Sequence, residues 1–488
     1  MPGQLVIGDI FRNAARAVPG RVAAALGDDV LTFAELDAAA DAMTGALHAA
    51  GVRQGSRVVV WTGTALDVLP LFAGLARLGA VYAPIAGNLG AAEAVDIAAS
   101  AGPALIVVDA LRVDGGAELA EAAGCKCVTL IDLASADAAP APPVDVAETD
   151  PHVIFFTSGS TDRPKGAVLS HRTNFLRSHP GALLEPRGAM VCTYPLFHMG
   201  AWTISLQQWQ ARDAVVYLEE ASGPAIVDAV RRHAATRLNC VPAVWRRVFD
   251  ELGPGGQLPS LRFADTGTSA TPPDLLNAIG TACPNAVVRV FYGSTEAGNV
   301  ASACAADLVP HPGSVGPPST GTEVRLSDEG EICVRGPLLF DGYFGDPAAT
   351  DAAPIDGWYH SGDVAAVGAD GYLTIVGRLG EVIRTGGESV NPVEVEAILA
   401  TAAGVAEVAV VGVPDADWGE VVCAVIVADG TPPTLDELRA ACAGRLAPFK
   451  QPRRLHVVDA LPRTPATGQV QRRALVSLFQ AGEPRSPA

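Results

Sequence analysis

The chain has 488 residues, long enough for roughly two to four domains of ordinary size. Hydrophobic residues make up 49% and charged residues 18%, a globular profile that excludes long disordered arms. The formal net charge of -19 repels a phosphate backbone and, with no local basic patch to offset it, excludes nucleic acid as a partner.

Apolar runs such as "VVVW" and "VAVVGV" stop well short of the ~18 consecutive apolar residues a membrane span needs. The start "MPGQLVIGDIFRNAA" lacks the basic stretch, apolar core and cleavage site of a signal peptide, so a cytoplasmic protein without a membrane partner is expected. The 9 cysteines are scattered and odd in number, which argues against a disulfide framework. Cys125 and Cys127 in "GCKC" have no second pair at zinc-ligand spacing, so no metal role is assigned to them.

In chain order, "LTFAELDAAADAMTGALHAAG" has apolar positions at helical spacing and "SRVVVWTG" reads as a buried strand. The stretch "DVLPLFAGLARLGAVYAPI" repeats helix and strand, the pattern of a parallel α/β sheet. The alternation returns at "HVIFFTSGS", "DAVVYLEE" and "NAVVRVFYGSTE". Between about residues 320 and 378 the texture changes to short strands with frequent Gly and Asp, as in "TEVRLSDEGEICVRGPLL" and "DGYLTIVGR", which predicts hairpins in an antiparallel or mixed sheet. "NPVEVEAILATAAGVAEVAVVGVPD" then predicts a helix and a strand, opening a small α+β domain of about 110 residues.

The run "TSGSTDRPKGA", residues 157–167, follows the apolar strand "HVIFF", where α/β sheets hold their ligands. Gly159 lets backbone approach an anion, the hydroxyls of Thr157, Ser158, Ser160 and Thr161 supply donors, and Lys165 adds a cation. Pro164 precedes the lysine and Gly166 follows it, so the run is not a Walker-type phosphate loop. Taken alone it also reads as a solvated Ser/Thr/Gly loop.

Further motifs follow it in order: "YPLFHMGA", "TGTSATPP", "FYGSTEAG", "GWYHSGD", "VGRLGEVIRTGGESVNPVEVE" and "LPRTPATGQVQR". Together they resemble the motif series of the adenylate-forming superfamily, which contains acyl-CoA synthetases, firefly luciferases and the adenylation domains of nonribosomal peptide synthetases. The resemblance covers nearly the whole chain. It implies a large AMP-binding domain over residues 1–379, with layered α/β sheets and a β-rich subdomain at about 320–378. It also implies a small mobile α+β domain over residues 380–488, hinged near Gly380, where the family has Asp or Lys.

The resemblance implies roles as well. Tyr292 would stack on adenine, Thr295 would approach the α-phosphate, and Glu296 would hold Mg²⁺ through a hard oxygen ligand. Gly267 and Thr268 of "TGTSATPP", with Gly293 and Ser294, complete the nucleotide-binding set. Asp363 would accept from both ribose hydroxyls and Arg378 would reach the nucleotide. His198 resembles the family's gate near the acyl carbonyl. Trp202, Thr203 and Val241 follow that motif and the next strand and are expected to wall the acyl pocket. Gly386 and Gly387 would line the path of the CoA thiol, and Lys450 and Arg453 would meet CoA phosphates or lie as exposed basic residues on a loop.

The chain departs from the family at two places. Where the last motif carries a lysine that neutralises charge as the adenylate forms, this chain has Gln469, which donates a hydrogen bond but brings no charge. Where the phosphate loop usually has Gly, this chain has Asp162. A carboxylate about 4 Å from a phosphate charge costs on the order of 4 kcal/mol per pair at an effective dielectric of about 20. Pairing of Asp162 with Arg163 is the alternative that blunts the effect. Both departures penalise ATP chemistry and leave the thiol-transfer parts in place, as in a non-adenylating acyl-CoA ligase. The expected cofactors are an acyl-adenylate or AMP and CoA, with ATP and Mg²⁺ only if the full reaction is retained. The expected setting is biosynthesis of a specialised metabolite, with a separate adenylating enzyme as supplier. The alternatives are a complete ATP-dependent synthetase, a non-catalytic adenylate-binding protein, and a ligase for a separate carrier protein.

Overall fold

The structure, a computed structural model, describes residues 4–87, 89–157, 165–179, 185–268, 271–355, 357–415, 417–464 and 468–482. The chain forms two compact units, Met1–Val324 with Val334–Tyr359, and Arg325–Cys333 with His360–Ala488. The fold is mixed α/β, with a large unit followed by a small one.

Among the described residues the first unit holds two large sheets, and the short strand Pro354–Ile355 pairs antiparallel with Trp358 and Tyr359 of a third. One has six strands in the order Lys126–Thr129, Leu105–Val108, Arg57–Trp61, Val81–Pro84, Pro151–Thr157 and Lys165–Ser170. All neighbours run parallel except the last pair. The strand Leu105–Val108 is buried along its length, as a parallel sheet covered on both faces requires. The other sheet has eight strands, of which six are parallel: Val287–Ser294, Phe263–Gly267, Arg237–Asn239, Met190–Cys192, Val215–Tyr217 and Val22–Leu26. Antiparallel strands Gly298–Cys304 and Asp29–Thr32 close its edges.

The helix predicted from "LTFAELDAAADAMTGALHAAG" is Phe33–Ala49. It starts at a capping box in which Thr32 and Glu35 satisfy each other's backbone N–H groups at 2.8 and 3.2 Å. Phe33, Leu36, Ala40, Met43 and Leu47 form its buried face and join Phe72, Tyr82 and Trp209 in the largest core cluster.

Two buried histidines lie against this core. His152 and His171 are each 0% exposed, with ring centroids 4.5 Å apart. Ile7 N donates to His171 Nδ1, and Asn174 Nδ2 lies 3.1 Å from His152 Nδ1. Burial, and then the neighbouring imidazole, holds His152 well below its ordinary pKa, and burial pushes His171 down to about 4. Both are neutral in the fold, whereas the unfolded chain protonates them near pH 6.5. Stability present above about pH 6.5 is therefore lost as the pH falls toward about 4, by up to about 1.4 kcal/mol per pH unit for each group. Denaturation midpoints are expected to fall with acid across this window, and His171→Gln to flatten the slope. A wild-type midpoint independent of pH there would contradict the assignment.

In the second unit the strand Trp358–Val367 continues from the first, and its residues Asp363–Val367 pair antiparallel with Leu373–Arg378. A second sheet runs Glu388–Val390, Ile383–Thr385, Gly419–Ala428 and Val405–Asp415, and Arg454–Val457 adds in parallel to Gly419–Ala428. The helix Pro392–Leu399 and the strand Val405–Asp415 are the pair predicted from "NPVEVEAILATAAGVAEVAVVGVPD". Arg472 ties the last helix to Glu381 at 2.8 Å and Glu396 at 2.7 Å, beside the short 3₁₀ turn Leu379–Glu381.

Candidate active site

Among the described motif residues, Thr157, Gly267 and Ser294 end the strands Pro151–Thr157, Phe263–Gly267 and Val287–Ser294, at their carboxyl ends. Thr157 Oγ1 donates to Glu296 Oε1 at 3.0 Å, so the ends of the two sheets meet at one point. Lys165 stands opposite Thr157 in register, and its Nζ lies 5.0 Å from the ring centroid of Tyr343. Burial, followed by the Glu296 carboxylate, pushes the Tyr343 hydroxyl up to about 12, so it stays a neutral donor at neutral pH. Ser158, Gly159, Ser160 and Thr161, with Asp162 and Arg163, lie outside the described residues.

Gly267 and Gly293 are glycines because their strands crowd. A Cβ would meet Phe291 O at 2.2 Å from the first and Gly298 O at 2.0 Å from the second. Next to Gly267, Thr268 has φ +71, a conformation a β-branched residue rarely adopts and one that gathers at functional sites. Half-buried Tyr292 lies opposite Ala301, and Ser294 Oγ accepts from Ala297 N at 3.0 Å, tightening the turn that carries Thr295 and Glu296. Among the described residues no group of three or more His, Cys, Asp or Glu side chains is placed to hold a metal ion. Glu296, with the Thr157 hydroxyl beside it, presents a hard carboxylate oxygen of the kind that would suit Mg²⁺.

His198 caps the helix Met199–Gln210, its Nδ1 accepting from Gly200 N at 3.0 Å, which leaves the neutral ring's proton on Nε2. The ring stacks on Tyr194, centroids 5.3 Å apart and 11° from parallel. Burial pushes its pKa down to about 4, so it donates as an imidazole and supplies no positive charge at pH 7. The Tyr194 hydroxyl donates to Asn239 Oδ1 at 3.3 Å and is hydrogen-bonded to Thr268, linking the two strand ends.

Trp202 is not a pocket wall. It is 1% exposed, stacks on Phe72 at 3.7 Å and 6°, and donates from its indole nitrogen to Leu196 O at 2.8 Å. The helical period turns it toward the core, while Thr203, one residue on, is half-buried. Val241 is 7% exposed, sits at the start of the helix Pro242–Leu252 and packs in the same core cluster.

In the second unit Asp363 is 8% exposed, and its Oδ1 pairs with Arg378 Nε at 2.9 Å. Glu331, which sequence reasoning missed, orders this turn: its Oε1 accepts from Gly362 N at 2.8 Å and its Oε2 meets His360 Nδ1 at 2.6 Å. The available signal was a carboxylate opening the apolar strand "EICVR". Gly386 has φ +59, and its Cα faces Trp418, whose ring a Cβ would meet at 2.6 Å; Gly387 follows with φ +85. The Arg453 guanidinium lies 3.8 Å over the Trp418 ring, a partner no local pattern announced. Lys450 holds both oxygens of Glu394, at 2.8 and 2.7 Å, so its charge is compensated. Gln469 is anchored by its backbone, its N–H donating to Thr464 Oγ1 at 3.1 Å and its carbonyl accepting from Thr464 N at 2.7 Å. The neighbouring cation Arg463 is engaged with Glu407 and Gly468 O, each at 2.7 Å. A Cβ at Gly380 would meet nothing within 4 Å.

Comparison with known proteins gives a family match to AMP-binding enzymes over residues 11–344 and to the AMP-binding enzyme C-terminal domain over residues 394–467. The chain is 35% identical to the feruloyl-CoA synthase of an Amycolatopsis species, covering 94% of this chain and 97% of that protein. It is 31% identical to 4-coumarate–CoA ligase 5 of Oryza sativa subsp. japonica, covering 93% and 91%. The ATP-bound crystal structure of MatB from Rhodopseudomonas palustris superposes with a TM-score of 0.88 at 29% identity, covering 97% of this chain and 99% of that one. With both family matches in place and relatives aligned over almost its whole length, the chain belongs to the AMP-binding enzymes of the adenylate-forming superfamily and is an acyl-CoA ligase or synthetase.

Proposed function

We propose that the protein performs the second half of the acyl-CoA ligase reaction, moving an acyl group from an acyl-adenylate to CoA, with adenylation weakened or lost. The observation that carries this reading is the neutral Gln469 where the family motif has a lysine. In the step, the CoA sulfur attacks the acyl carbonyl carbon and the C–S bond forms. The acyl C–O bond to phosphate breaks, AMP leaves with the electron pair, and the thiol proton passes to solvent.

Tyr292, Thr295, Asp363 and Arg378 hold the AMP portion. Thr157, Lys165 and Glu296 form the phosphate end, and His198 guards the acyl carbonyl. The domain over residues 380–488 turns about Gly380, where nothing crowds the backbone, and Gly386 and Gly387 leave room for the thiol. Arg453 and, once released from Glu394, Lys450 face the CoA phosphates. A separate adenylating enzyme supplies the adenylate within a specialised-metabolite pathway. Aryl adenylates are the first to try, because two relatives are named for feruloyl and coumarate.

The test compares two mixtures: the free acid with ATP, Mg²⁺ and CoA, and the synthetic adenylate with CoA. Thioester is expected at least about 10²-fold faster from the adenylate, the size of one lost charge contact in an adenylation transition state. Rapid pyrophosphate release in the first mixture would overturn the reading. It would instead favour a complete synthetase, a reading supported by near full-length similarity to proteins named CoA synthases and ligases. AMP binding without thioester from either mixture would indicate a non-catalytic adenylate-binding protein.

A further inference from the structure

Arg177 lies on the helix His171–Ser178, is 7% exposed, and directs every donor group of its guanidinium into the protein. Nε donates to Leu338 O at 2.8 Å. Nη1 donates to Thr295 O at 2.8 Å and contacts Met199 Sδ at 3.2 Å. Nη2 donates to Glu296 O at 2.9 Å and Leu338 O at 2.6 Å. One planar group thus holds the carbonyls of two consecutive residues of "FYGSTE", a fork that a lysine ammonium cannot copy.

Burial pushes the Arg177 pKa down to about 10, with Glu296 and Asp341 opposing the shift, so it remains a cation at pH 7. Desolvating a cation is costly, and an apolar side chain would fill a helix face at lower cost. The hydrogen bonds to the turn are what an arginine adds here. Phe340 N also donates to Glu296 O at 2.7 Å, so that carbonyl is held from two sides. Gly298, at φ +71, gives the guanidinium room, since a Cβ there would come within 3.0 Å of Arg177 Nε.

We propose that Arg177 is a positioning residue. It sets the turn that carries the Thr295 hydroxyl and the Glu296 carboxylate, and so sets how tightly the α-phosphate of AMP or an acyl-adenylate is held. The inference rests on Thr295 and Glu296 forming the nucleotide end of the site.

The test uses the full chain with Arg177→Gln and Arg177→Lys, and reads AMP affinity by calorimetry, the KM for CoA with synthetic benzoyl-adenylate, and the unfolding midpoint. AMP affinity is expected to fall about tenfold to a hundredfold in both variants, the scale of a displacement of about 1 Å in a positioning group, with the KM for CoA unchanged. Arg77→Gln is the control, because Arg77 is also buried, at 9% exposed, but pairs with Asp37 and Asp41. If Arg177→Gln does not fold, the lysine variant carries the test. AMP affinity within twofold of wild type in a folded Arg177 variant overturns the proposal, as does an equal loss in Arg77→Gln. Wild-type protein that fails to bind AMP instead overturns the reading of the nucleotide end, and Arg177's role with it.

Discussion

Gln469→Lys is expected to raise ATP–pyrophosphate exchange by about 10² to 10³, the usual size of one charge contact in a transition state. The side chain is the variable here, because the backbone at residue 469 is already held by two hydrogen bonds to Thr464 and the new side chain inherits that placement. The cation described beside it in the chain does not stand in for it. Arg463 is committed to Glu407 and Gly468 O. On the proposed reading the Asp162 carboxylate would oppose the same step through its charge, so Gln469→Lys with Asp162→Gly is expected to exceed the single change. On the proposed reading, in which residue 469 serves the adenylation step, thioester formation from a supplied adenylate is expected to change by less than about threefold. Exchange that stays at the wild-type level in a folded Gln469→Lys protein would remove the main support for a weakened adenylation step.

Trp202→Ala is expected to cost about 3–5 kcal/mol of stability, the range for emptying a large aromatic site in a packed core. The indole stacks on Phe72 at 3.7 Å, meets Tyr82 edge-on at 5.3 Å, and uses its N–H on Leu196 O. Truncation leaves a cavity beside Phe72 and Tyr82, while Leu196 O keeps the hydrogen bond from the Tyr82 hydroxyl at 3.1 Å, so the cavity carries the cost. The measurement is urea unfolding alongside relative rates with aryl and fatty adenylates. A core residue loses stability and leaves the preference order alone. A reversed preference with an unchanged midpoint would return Trp202 to the acyl pocket.

The helix Phe33–Ala49 and the strands Arg57–Trp61 and Pro151–Thr157 could be placed from sequence because their signals are periodic and local: a 3.6-residue stripe, or a short apolar run bounded by turn residues. The order of the glycine-, hydroxyl- and carboxylate-bearing motifs likewise identified the chemistry, since each motif keeps its residues within a few positions of one another. Trp202 shows the limit. A tryptophan after a histidine motif looks the same in the amino-acid string whether its ring faces a ligand or Phe72, which lies 130 positions earlier. Helix phase against a distant partner settles which it is.

Glu331 ordering the turn at Gly362, Arg453 lying on Trp418, and Arg177 gripping Thr295 and Glu296 were equally silent in sequence. In each, the two partners are 31 or more residues apart, and the pairing exists only after sheets and helices have closed. Local periodicity therefore carried the fold class, and the resemblance of the motif series carried the family and the position of Gln469. The partners of each charged or aromatic side chain came from three-dimensional packing, because burial and hydrogen-bond geometry depend on neighbours that chain order does not specify.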